Sequence, residues 1–395
     1  MSNLISDSVI SNKELKEKVL QYDWEFAEKD TQYFTHNVHR YSGKYIPQIP
    51  RKVIELITNP YELILDPYNG SGTTSLEASL ANRRSIGVDL NPLAILISKV
   101  KTTPISNEKL DELIETTEDL INKLMEYAKP TIFGFSEQAK ELFERAKEDP
   151  RFNDTWFTKW FQPHVLLELI VIKNYIDSIE ENSCRDLVLV AFSNILRKSS
   201  NAHSGYPNVM FDKKAKEKPL PSSNFLKSFY ECVNMVRSLS TSGMEILPEI
   251  KHADSTNLPL SKESVDAIVT HPPYIGSVPY AEYGTLSLGW LGYDSKELDK
   301  QLTGGRRQTK DVVERFRDGY RKTIEEAYRV LKANRKMFLM VGNPVVKGEE
   351  IDLGVMSKEL ASEAGFILVV ETTRKGVNRR ANKMGEEYLM FFEKK

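Results

Sequence analysis

The chain has 395 residues, of which 40% are apolar and 28% charged, enough for one large domain with an insertion or for two domains. Its formal net charge of −2 excludes a uniformly basic nucleic-acid binder, so such a partner would have to be met by local charge. Two cysteines, Cys184 and Cys232, leave no disulfide framework and no CxxC metal pattern, and neither a signal-peptide pattern nor a membrane-length apolar run is read, so a soluble, reduced, cytoplasmic protein is expected.

Taken in chain order, residues 34–47 (FTHNVHRYSGKYIP) read as an aromatic, basic connector. Apolar runs at 63–66 and 85–89 flank a helix-length stretch at 73–82, the spacing of a βαβ unit. The chain then turns helical for about 150 residues, well beyond the usual crossover. Helices are predicted at 107–128, 136–148, 163–179, 185–198 and 224–239, with apolar residues at helical spacing in Leu110, Leu113, Ile114, Leu120, Ile121 and Leu124. Strands return at 249–253, 265–270, 336–341, 366–371 and 387–392. Only a polar, basic loop separates the last two, so they should pair antiparallel. The expected fold is a doubly wound α/β sheet of seven strands, mostly parallel, with an antiparallel last hairpin and an inserted helical subdomain. The expected division is 1–103 for the cofactor loops, 104–247 for the helical insertion and 248–395 for the remaining strands.

Two loops after strand-like runs carry the chemistry. In Asp66-Pro67-Tyr68-Asn69-Gly70-Ser71-Gly72-Thr73-Thr74, Gly70 and Gly72 let the backbone turn sharply and approach a ligand, and Thr73 and Thr74 open a helix whose free N–H groups face the same space. Taken alone, the glycines also suit a plain strand-to-helix turn. A P-loop is excluded, because no Gly-Lys-Ser/Thr follows. Asp89 ends the next strand, the position from which a carboxylate accepts ribose hydroxyls. Asp66, at the tip of the first strand, suits a cationic ligand.

The second loop is Thr270-His271-Pro272-Pro273-Tyr274. Two prolines fix φ and remove two N–H donors, leaving carbonyls in set directions. Such acceptors suit an exocyclic amino group, whose lone pair is freed from the ring when both N–H groups are held. Tyr274 offers a face for a base to stack on, worth roughly 1–3 kcal/mol.

The wording DPYNGSGTT, followed by GVDLNP, resembles the S-adenosylmethionine-binding segments of DNA amino-methyltransferases, and HPPY is similar to their Asp/Asn/Ser-Pro-Pro-aromatic tetrapeptide. Residues 34–47 are similar to the H-x-Y-P-A-K-F-x-P stretch that closes over the methionine end of the cofactor in that family. The resemblance covers 34–100 and 250–395, and the helical middle matches only loosely. It implies a class I methyltransferase fold. It also implies a cofactor site of Tyr41, Lys44, Tyr45, Asp66, Tyr68, Gly70, Gly72, Thr73, Thr74, Asp89, Leu90 and Asp254, with Asp66 near the methionine amino group, Asp89 on the ribose and Asp254 on the adenine. His271, Pro272, Pro273 and Tyr274 become the catalytic loop. His271 departs from the family wording. Either its neutral imidazole accepts one N–H, so that activity falls near pH 6.5 as it protonates, or it packs and the Pro272 carbonyl accepts.

A base inside a duplex must be flipped out to be methylated, at a cost of a few kcal/mol that phosphate contacts offset. Three basic loops are candidates for those contacts: Lys213, Lys214, Lys216 and Lys218; Arg306, Arg307 and Lys310; and Arg374, Lys375, Arg379, Arg380 and Lys383. The second and third supply the expected DNA-binding residues, Arg306, Arg307, Arg374, Lys375, Arg379, Arg380 and Lys383. The resemblance implies double-stranded DNA as partner, leaves room for a cognate restriction endonuclease, and brings no metal. Cytosine N4 is the favoured target, with adenine N6 the alternative. An RNA or protein-glutamine methyltransferase, or a non-catalytic DNA-recognition subunit, are readings of other classes.

Overall fold

A computed structural model describes residues 10–128, 137–205, 208–275, 279–304, 311–375 and 385–395. Seven strands form its sheet: β1 (Leu63–Asp66), β2 (Arg84–Asp89), β3 (Glu249–His252), β4 (Val265–Thr270), β5 (Leu331–Gly342), β6 (Phe366–Lys375) and β7 (Glu386–Lys394). Their order across the sheet is β3-β2-β1-β4-β5-β7-β6. All pairs are parallel except β5 with β7 and β6 with β7, as expected for a strand pair joined without a crossover. This is the seven-stranded, mostly parallel α/β sheet with an antiparallel last hairpin that the sequence predicts.

β4 is buried at every residue, which suits a central parallel strand covered on both faces. Side chains alternate between two apolar layers. Leu65, Ile268, Leu339 and Phe392 meet Phe316, Tyr320 and Ile324 of the helix Val312–Val330. Ile64, Ala267, Phe338 and Phe391 meet Ile49, Val53 and Ile54 of the helix Gln48–Ile57. β5 starts five residues before its predicted first residue, 336. Leu331 pairs with Val265 and Lys336 with Ala267, so the intervening residues bulge around Asn334, whose φ is 59°.

The strands step outward from β1 to β3 on one side and from β4 to β5 on the other. β1 and β4 are therefore neighbours whose connections leave in opposite directions. In open α/β sheets the crevice beyond the carboxyl ends of such a pair is where ligands bind.

The helical block contains Asn107–Ala128, Glu137–Glu148, Pro163–Ser178, Asn182–Ser199 and Ser222–Ser240, close to the predicted spans, plus short helices Pro150–Asn153 and Thr155–Trp160 that were not predicted. Its apolar residues form one cluster with Leu93, Leu96, Ile97 and Val100 of the helix Pro92–Thr102 and with Leu286, Leu288 and Trp290. The block is thus built onto the helical layer of the sheet. Among the described residues no helix is long and apolar enough to cross a membrane.

Candidate active site

The β1 loop delivers Asp66 into a hydrogen-bonded frame. Its Oδ2 accepts from Thr74 Oγ1 at 2.6 Å, and its Oδ1 accepts from Thr270 Oγ1 at 2.6 Å and from the Tyr68 N–H at 3.1 Å. The acid of the first loop is therefore tied to the last residue of β4, directly before His271. Gly70 turns at φ 50° and donates its N–H to Asp89 Oδ2 at 2.8 Å, while Asp89 Oδ1 accepts from the Asn91 N–H at 2.8 Å. Gly72 has another task. At φ 79° it faces Ser98, and a side chain there would collide with it, so this glycine serves helix packing behind the loop.

A cleft with about 810 Å³ of empty space, part of it continuous with solvent, lies over these carboxyl ends. It gathers ten of the expected cofactor residues: Tyr41, Lys44, Tyr45, Asp66, Tyr68, Gly70, Thr73, Asp89, Leu90 and Asp254. Gly72 and Thr74, also expected there, stand behind its wall, Thr74 bonding both Asp66 and the Tyr45 hydroxyl. The wall also holds Gly43, Asn69, Ser71 and Asn91, which lie within the quoted motifs without having been named as site residues, and Ser255, Tyr280 and residues 301–304, which those motifs do not include. A side chain at Gly304 would press on Pro273 at 2.8 Å. The Gly-Gly pair at 304 and 305 was the one signal for that close approach.

Charge in the cleft is divided. Burial pushes Asp66 up to about 6 against its three hydrogen bonds, and burial also raises Asp89 above the usual carboxylate range. Asp254 is exposed at the cleft edge. Lys44 donates to the His36 carbonyl at 2.6 Å, and burial holds its ammonium below the ordinary value. Among the described residues, Thr73 Oγ1 and Asn91 Nδ2 are buried in this wall without a hydrogen-bond partner. Buried polar atoms of that kind are normally satisfied, so these two fit a polar ligand.

The loop after β4 brings His271 and Pro273 to the cleft but turns Tyr274 away. Tyr274 is 2% exposed. Its hydroxyl lies 2.7 Å from His271 Nε2 and 3.5 Å from Glu387 Oε1, so its ring does not present the stacking face expected of it. His271 stacks on Tyr45, with centroids 5.1 Å apart and planes 17° from parallel, and hydrogen-bonds the Gly43 backbone. With one ring nitrogen on the Gly43 carbonyl and the other on Tyr274, the imidazole has no acceptor left for a substrate N–H. Burial lowers its pKa to about 4, which overturns the expectation that it titrates near 6.5.

Arg374, expected to touch DNA, is buried. Its guanidinium faces Glu387 at 3.2 Å, with side chains 6% and 9% exposed, so it is a counter-ion inside the β6–β7 hairpin and not a phosphate contact. Lys375 is exposed, with its N–H donated to Glu25 Oε1 at 2.7 Å. Arg306, Arg307, Arg379, Arg380 and Lys383 lie outside the described residues.

A family model described as DNA methylase matches residues 8–100. The Type II methyltransferase M.MvaI of Kocuria varians is 28% identical, over 90% of this chain and 87% of that protein. M.MjaII of Methanocaldococcus jannaschii, also a Type II methyltransferase, is 25% identical over 97% of this chain and 85% of that protein. A third, M.BsoBI of Geobacillus stearothermophilus, is 25% identical over 79% of this chain and 63% of that protein. The chain is thus similar to Type II methyltransferases along most of its length, and its residues 8–100 match the DNA methylase model.

The cleft suits S-adenosylmethionine chemically. Asp66 and Asp89 face a cationic, hydroxyl-bearing ligand, Lys44 offers a charge for a carboxylate, and the unpartnered Thr73 and Asn91 atoms await polar partners. Among the described residues no group of His, Cys, Asp or Glu is placed to hold a metal.

Proposed function

We propose that this chain is an S-adenosylmethionine-dependent DNA methyltransferase that modifies the exocyclic amino group of a flipped base at specific sites in double-stranded DNA, with cytosine N4 as the target. One observation carries the reading. The acid-lined cleft and the Pro-Pro loop share the β1–β4 crevice, joined by the Asp66–Thr270 hydrogen bond of 2.6 Å. Asp66, Asp89, Asp254 and Lys44 are the proposed holders of S-adenosylmethionine, which supplies an electrophilic methyl carbon when bound.

The chain's own part is to position the nucleophile. Pro273 lines the cleft and Pro272 is buried directly before it, and the Pro272 carbonyl is the acceptor proposed for one N–H of the base. His271 is neutral and engaged at both nitrogens, so it holds the loop in place rather than taking a proton. A burst of fixed acceptors with no competing donors is what an amino group needs to expose its lone pair. Cytosine is favoured because Thr270-His271-Pro272-Pro273-Tyr274 differs at one residue from the Thr-Ser-Pro-Pro-Tyr wording of cytosine-N4 enzymes. The division at 104–247 is proposed as the recognition part.

The deciding experiment incubates purified protein with labelled methyl donor and DNA, RNA or protein in parallel, followed by mass spectrometry of nucleosides. N4-methylcytosine in DNA is the expected product. N6-methyladenine would move the target, and label in protein or RNA alone would refute the reading.

A further inference from the structure

We infer that the loop carrying Lys213, Lys214 and Lys216 is a duplex phosphate-binding surface of the helical insertion, serving the DNA reading proposed above. All three lysines are exposed, and none has an ion-pair partner among the described residues. The nearby acid Asp212 is already committed, accepting the Lys214 N–H at 2.8 Å and lying 3.5 Å from His203. Asp212 and Glu217 offset two of the four lysine charges in 212–218, which leaves the loop with a local excess of two positive charges.

The loop backbone is held. Gln162 Nε2 donates to the Lys216 carbonyl at 2.9 Å, Gln162 Oε1 accepts from the Lys218 N–H at 2.9 Å, and His164 Nε2 lies 2.8 Å from the Lys218 carbonyl. An isolated bridge pairs Ala202 with Phe211 just before it. Lysines on a fixed backbone lose less freedom on binding a partner than lysines on a tether.

Its place also fits. Asn208 Nδ2 lies 3.5 Å from Glu282 Oε2, in the short helix Tyr280–Tyr283 whose first residue lines the cleft. Lys213 and Lys216 follow Asn208 by five and eight residues, at most about 17 and 28 Å of chain. One turn of B-DNA is about 34 Å long. A duplex placed with one base at the cleft therefore keeps phosphates within reach of this loop.

The test compares the full chain with the variant Lys213→Gln, Lys214→Gln, Lys216→Gln, measuring duplex binding across salt concentrations. Each phosphate contact contributes about 0.9 to the slope of log affinity against log salt, so the slope should shrink by about 2.7. Roughly fortyfold of the wild-type loss between 50 and 200 mM salt should then vanish. The loss should be similar on matched and scrambled duplexes, with S-adenosylmethionine affinity unchanged. Lys262→Gln, before β4 at the far end of the sheet, should leave the slope unaltered. An unchanged slope in the triple variant overturns the proposal, as does an equal per-charge loss from Lys262→Gln. A wild-type chain that binds no duplex overturns the underlying DNA reading as well, which separates the two failures.

Discussion

Asp66 and His271 sit within one hydrogen-bonded frame yet should answer to pH in different ways. Asp66 carries a pKa raised to about 6, so below that value it takes up a proton and loses the charge proposed to attract the cofactor. Bound cofactor opposes that protonation. In a pH series, kcat/KM for S-adenosylmethionine should fall about tenfold per unit below pH 6, while kcat at saturating cofactor and DNA holds. His271, depressed to about 4, stays neutral throughout, so kcat should be level from pH 8 down to 5.5. A fall of kcat centred on 6.5 would restore the simple titrating role read from sequence. That role was the natural expectation, because a motif states which residue stands in a loop and not how deeply it is buried. The Tyr45 stack and the Gly43 bond that exclude water from the ring come from a segment more than two hundred residues away.

The β6–β7 hairpin shows the same limit at the scale of an element. A basic run between two strands reads as a charged loop, and its strand spans and antiparallel pairing were legible from alternation and spacing. The extension of β6 to Lys375 was not, since it depends on pairing with Glu386 and Glu387 across the hairpin. That extension draws Arg374 inside against Glu387. Replacing Glu387 by Gln would leave the guanidinium buried without a counter-charge, which costs about 3–5 kcal/mol. Urea unfolding should show that loss, and the joint Arg374→Leu, Glu387→Leu variant should recover much of it. If Glu387→Gln unfolds like the wild type, the pair is solvated rather than buried. The glycine loop was read with more success, because local turn geometry and the following helix are set by nearby residues. Even there Gly72 proved to face Ser98, a neighbour that no turn rule reveals.

At the scale of the whole molecule, two short loops separated by some two hundred residues converge on one crevice. The convergence follows from strand order, since β1 and β4 are central neighbours and each ends in a loop at the same edge. Hydrophobic periodicity was enough to find the five longer helices of the insertion, though not the short Pro150–Asn153 and Thr155–Trp160. Their attachment was hidden, because apolar faces in sequence do not say which other faces they meet. The cluster running from Leu93 and Val100 through Leu169, Leu187 and Phe229 to Trp290 has a thermodynamic consequence. A module hung on a linker would melt by itself, whereas one that shares its interior with the catalytic sheet cannot loosen without exposing that interior. Calorimetry should accordingly give a single transition, with S-adenosylmethionine raising the melting temperature of the entire chain, helices included. The grip on the nucleic acid and the chemistry on the base would then be inherited, lost and selected together.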